Sequence, residues 1–154
     1  MKREKKWSRV WLIALVACGL SAQTLGCVAP ETQEEPEGLE ILGMWEDTFG
    51  GGMSSGPMTI SKESWRDSAI IEFDNEANFV ITQNPADSSF GPNQYNKTVW
   101  LEPDATGFYY CQIVFGKETL DEVKAATEMA ASSGELDDEG SGGIGWGKAV
   151  PPGS

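Results

Sequence analysis

The chain has 154 residues, room for one domain and little more. It carries 24 acidic and 11 basic residues, a net charge of −13, and no histidine. The charge excludes an electrostatic grip on nucleic acid, which needs Lys and Arg against phosphates; the missing imidazole excludes Ser-His-Asp and Cys-His catalysis and histidine-ligated zinc or copper.

The first nine residues hold Lys2, Arg3, Lys5, Lys6 and Arg9 against Glu4, and Val10 to Ala17 is an apolar run of eight. A basic start followed by a short apolar run is the layout of a secretory signal. A spanning helix needs about 20 apolar residues, and Ser21, Gln23 and Thr24 dilute this stretch. An uncleaved anchor is therefore the lesser reading. Leu15-Val16-Ala17-Cys18 and Thr24-Leu25-Gly26-Cys27 both resemble the lipobox of bacterial lipoproteins. That resemblance implies a diacylglyceryl group on the thiol and cleavage just before the modified cysteine. Cys27 follows the longer apolar stretch and precedes a polar segment, so it is the expected lipidation site. Cys18, with the better-matched Leu15, is the alternative. Neither cysteine is followed by Asp, and in a double-membrane bacterium the resemblance then implies the outer membrane.

On this reading residues 1–26 are a signal peptide and residues 27–38 an acidic disordered tether. The tether has two prolines and four glutamates, too little apolar surface to offset its ordering entropy. The chain beyond the signal has 6 basic and 23 acidic residues, a net charge of −17. Anionic headgroups repel such a surface. Membrane attachment must then come from acyl chains, each buried CH₂ contributing about 0.8 kcal/mol.

Residues 39–150 read as one β-rich domain and 151–154 as a tail. Ile41 to Asp47 is the first strand, and a glycine-rich loop from Gly50 to Gly56 comes next. A second strand runs from Pro57 to Trp65, a third from Ala69 to Phe73 and a fourth from Asn78 to Thr82. Asp74 to Ala77 is a four-residue hairpin connection, since Asp and Asn bond their own backbone in turns. A polar loop from Gln83 to Asn96 leads to a fifth strand, Lys97 to Glu102. A sixth, Phe108 to Phe115, is apolar on both faces and reads as the most buried. Thr119 and Glu122 form a capping box for a helix whose apolar face is Leu120, Val123, Thr127 and Ala130, with Gly134 as its stop. Ser132 to Gly143 is a loop, and Ile144 to Val150 a closing strand. Six to seven antiparallel strands with one short C-terminal helix predict a small mainly-β barrel or sandwich.

Gly43-Met44-Trp45 resembles the Gly-x-Trp of lipocalin-like and avidin-like barrels, which implies a Trp plugging one barrel end. A wider set is similar to a group of uncharacterised small bacterial lipoproteins. It comprises Trp45 to Gly50, Phe73-Asp74-Asn75, Phe79 to Asn84, Tyr109-Tyr110-Cys111-Gln112 and Gly142 to Trp146. That group has a second cysteine in the glycine-rich segment before the last Trp. Here Ser141 or nearby glycines stand there, so a Cys111 disulfide implied by the resemblance is absent. The resemblance implies no activity.

Cys111 lies in an apolar run and reads as a small buried hydrophobe rather than a reactive thiol. Glu135, Asp137, Asp138 and Glu139 do not match EF-hand spacing and read as a solvated loop. No catalytic residue, metal site or cofactor is expected. Trp45, Trp65, Trp100, Tyr109, Tyr110 and Trp146 are the candidate ligand-contacting or core aromatics. The functional expectation is a lipid-anchored envelope protein, non-catalytic, binding a small apolar ligand or an envelope protein partner. The alternatives are an envelope hydrolase with paired carboxylates and a purely structural lipoprotein.

Overall fold

The computed structural model describes residues 38–49, 53–129, 131–136 and 139–154. The expected signal segment, Cys18, Cys27 and nearly all of the expected tether lie outside the described residues. Strands β1 (Gly43–Phe49), β2 (Met53–Ile60), β3 (Ser64–Trp65), β4 (Ser68–Asp74), β5 (Phe79–Gln83), β6 (Tyr95–Trp100), β7 (Phe108–Lys117) and β8 (Gly147–Val150) pair antiparallel in chain order. β8 returns to β1, with Asp47 opposite Ala149, so the sheet closes into a barrel and leaves no edge. Helix α1 (Leu120–Ala125) lies between β7 and β8 in the chain.

The expected second strand is two strands. Ser61 folds the chain back on itself, its Oγ accepting from the amides of Glu63 and Ser64. That side-chain turn interrupts the strand between Ile60 and Ser64. The glycine-rich loop is shorter than expected, because Met53 to Gly56 already pair with β1.

Strand alternation builds two apolar clusters, one on each side of the wall. Inside are Met58, Ile60, Trp65, Val80, Trp100, Phe108 and Ala149, joined by Leu39 and Ile41 from the segment ahead of β1. They plug one end. At that end Asn75 Nδ2 donates to Gly38 O at 2.9 Å and Trp100 Nε1 donates to Glu40 Oε1 at 2.6 Å, so the buried indole is satisfied. Trp45 meets Phe108 edge-on at 5.0 Å and donates Nε1 to Ile41 O. Gly43 has φ +150°, and a Cβ there would meet the Trp45 ring at 3.4 Å. The glycine two residues before Trp45 thus gives the indole a seat against its own strand.

Outside are Ile81, Cys111, Ile113, Val114, Val123 and Trp146, with Phe79, Val99, Tyr109, Leu120, Met129 and Leu136. β7 is apolar on both faces because one face fills the barrel and the other lies under α1 and the segment before β8. The capping box forms as expected: Thr119 Oγ1 accepts from Glu122 N, and Glu122 accepts from Thr119 N. The helix stops at Ala125, however, well short of Gly134. Beyond it Met129 N donates to Ile113 O at 3.0 Å and Met129 packs on the outer cluster. That tertiary bond replaces the next helical turn, so Thr127 is not on a helical face. The closing strand begins at Gly147 rather than Ile144. Ser141 and Ile144 instead bridge each other in a tight turn, and Trp146 tucks into the outer cluster.

Candidate binding cavity

At the end opposite the plug, the barrel interior is not filled. A cavity of about 1130 Å³ opens between the β3–β4 hairpin, the loop from Asn84 to Gln94 and the far part of β7. Its inner wall comes from the inward-facing positions of successive strands. Thr82 on β5 faces Asn96 on β6, and Thr98 on β6 faces Gln112 on β7. Asn96 is bonded through both ends of its amide. Its Nδ2 donates to Asn84 Oδ1 at 2.8 Å, and its Oδ1 accepts from Gln112 Nε2 and Gly116 N, each at 3.0 Å. Asn84 Nδ2 in turn donates to the carbonyls of Phe90 and Gly91. This amide ladder runs from the loop across β6 to β7 and ties the loop to the wall.

The opposite wall holds the charged group of the interior. Asp47 is 2 % exposed. Its carboxylate pairs with Arg66 Nη2 and accepts from Tyr110 Oη at 2.6 Å; Arg66 Nη2 also donates to Tyr110 Oη at 3.0 Å. Tyr110 ionises well above the ordinary phenol range, chiefly because it is buried and also because it donates to Asp47, effects Arg66 only partly opposes. Burial works to lower the Arg66 pKa, but the charges and bonds of Tyr110 and Asp47 outweigh it and raise it. Arg66 is the first residue of the two-residue turn between β3 and β4, with φ +54°. A left-handed conformation costs an Arg roughly 1–2 kcal/mol. The ion pair holds it there. Gly147 faces the same cluster, and a Cβ on it would come within 2.5 Å of the Tyr110 ring.

The rim is apolar. Phe90 is 86 % exposed at the tip of the ladder-bound loop, and Phe115 and Ile144 are also exposed on the cavity lining.

Of the aromatics expected at a site, Trp65 and Tyr110 line the cavity. Trp45 and Trp100 belong to the plug, and Tyr109 and Trp146 to the cluster outside the barrel. Cys111 is buried and free, its Sγ against Ser141 Oγ. Burial raises its pKa, and the Ser141 hydroxyl opposes this only in part. Sequence pattern alone did not single out Asp47, Arg66, Thr82, Asn84, Asn96, Thr98 or Gln112 as site residues. The available signal was the alternation Asn96, Thr98, Trp100 against Tyr95, Lys97, Val99, which places two polar residues on the face of a core Trp.

No family model, curated protein or solved structure matches the chain.

Proposed function

We propose that the domain is a non-catalytic binding module of the bacterial envelope. Lipid on Cys27, or on Cys18, holds it at a bilayer, and the open barrel end takes a small ligand. The observation that carries the binding part is the cavity. Its volume lies just above the range typical of ligand pockets, about 300–1,000 Å³. Its polar wall is fixed by internal hydrogen bonds before any ligand arrives, which lowers the ordering cost of binding. Phe90, Phe115 and Ile144 at the rim supply apolar contact for the less polar end of an amphipathic molecule. The anchoring part is supported by the lipobox-like segments and by an acidic surface that offers anionic lipid no attraction.

Two mass measurements test the reading. The intact mass of protein isolated from membranes should correspond to a chain beginning at Cys27 or Cys18 and carrying two or more acyl chains. A native mass spectrum should show a non-covalent small molecule that Thr98→Phe, which fills the cavity, removes. An unmodified chain would overturn the anchor. A wild-type protein that is empty and indistinguishable from Thr98→Phe would overturn the binding module.

A further inference from the structure

The lining of the cavity limits what can enter it. Thr82 and Thr98 are 7 % and 8 % exposed, and among the described residues neither hydroxyl has a hydrogen-bond partner. Neither is sealed in protein: Asn78 Oδ1 is the one fully enclosed side-chain polar atom without a partner among those residues. Both hydroxyls therefore open onto the cavity. Each can donate and accept. They sit on adjacent inward positions beside Gln112, whose Nε2 is committed to Asn96 while its Oε1 is not engaged. Arg66 uses only Nη2 in its bonds to Asp47 and Tyr110, which leaves the rest of the guanidinium fork available.

Charge narrows the choice. Among the described residues that line the cavity, the charged groups are the buried Asp47, its partner Arg66, and the exposed Asp67 and Asp87. The one buried charge among them, Asp47, is already paired with Arg66, so a charged ligand entering would lose its water without gaining an unpaired buried counter-charge, at a cost of several kcal/mol per ion. Asp67 and Asp87 on the lining repel an anion, and as solvated carboxylates they offset little of that cost for a cation. An alkyl chain fails for the converse reason, since it would strip water from the Thr82 and Thr98 hydroxyls without replacing those bonds. What remains is an uncharged molecule dense in both donors and acceptors, with an apolar face for Trp65 and the rim. We propose that the ligand is a neutral saccharide of one or two rings, bound through the Thr82 and Thr98 hydroxyls and Gln112. This proposal rests on the binding-module reading and specifies its ligand.

The test is isothermal titration calorimetry on the full membrane-derived protein in lipid nanodiscs. The probes are maltose and di-N-acetylchitobiose as neutral disaccharides, glucuronic acid as an anionic sugar, and oleate. At least one neutral disaccharide should bind one-to-one, more tightly than glucuronic acid. Thr98→Val or Thr82→Val, each isosteric, should weaken it about tenfold or more, the loss of one buried hydrogen bond. Thr59→Val, on an exposed outward position of β2, should leave it unchanged. If one inward variant does not fold, the other carries the test, and the wild-type ranking stands without either. Oleate binding that Thr98→Phe blocks, with no disaccharide bound, overturns the saccharide and leaves the binding module standing. Tighter binding of glucuronic acid does the same. If no probe binds, the saccharide proposal falls; the module falls with it only if the native mass spectrum also finds the protein empty.

Discussion

The Asp47–Arg66–Tyr110 cluster makes an asymmetric prediction. Its two charged partners differ greatly in exposure: the Asp47 side chain is 3 % accessible and that of Arg66 43 %. The cost of breaking such a pair is set by the group left behind. Arg66→Met keeps most of the apolar stem and the same backbone strain, but strips the cation from a buried carboxylate. Removing one partner of a buried pair costs about 3–5 kcal/mol, and the remaining Tyr110 hydrogen bond puts this case at the lower end, about 3 kcal/mol. Asp47→Asn leaves an arginine whose head can reach water, and keeps an acceptor for Tyr110. Its cost should be one weakened hydrogen-bond set, about 1 kcal/mol. Arg66→Gly should fall between them, since it relieves the φ +54° conformation by roughly 1 kcal/mol. Urea unfolding followed by tryptophan fluorescence would rank the three by midpoint at constant m-value. If Asp47→Asn proves at least as damaging as Arg66→Met, the buried-charge reasoning is wrong.

Ser141→Cys should close a disulfide with Cys111 under oxidising conditions, given the contact between the two side chains. The chain-entropy model puts the stabilisation at about 3–4 kcal/mol for a loop of this length; non-reducing mass mapping and the thermal midpoint would check it. Cys111 itself should resist alkylation in the folded protein and react fully in denaturant, because burial disfavours its thiolate. Asp104 accepts from Thr106 Oγ1 and Thr106 N, which hold its pKa below the ordinary 3.8. A depressed folded pKa means its stabilising contribution is complete above the unfolded value and is lost as pH falls through the folded one. Thr106→Ala should raise the Asp104 pKa partway back in a carboxyl NMR titration while the backbone bond survives.

Much of the barrel was legible because strands and turns are written locally. The Asp74–Ala77 turn needs Asp74 to bond the amides of Glu76 and Ala77, and it does so. The capping box at Thr119 is likewise a four-residue signal. The helix end was not legible, since the bond from Met129 to Ile113 depends on a strand distant in sequence. The double-sided apolarity of β7 was visible, but not its cause, an outer cluster beneath a returning segment. The cavity was the least legible feature. Aromatics drew attention as the candidate contacts, yet most of them fill the plug or the outer cluster. The residues that open onto the cavity are small and polar; alternation with Trp100 hints at Thr98, but nothing marks Thr82 until strand pairing places it opposite Asn96.

The most direct measurement is a methyl-NMR titration of the threonines with di-N-acetylchitobiose. Binding inside the barrel should shift the Thr82 and Thr98 methyl resonances in a saturable way and leave the exposed Thr59 and Thr127 methyls where they are. Saturation with Thr82 and Thr98 unmoved, or with the exposed methyls moving instead, would contradict ligand binding in this cavity.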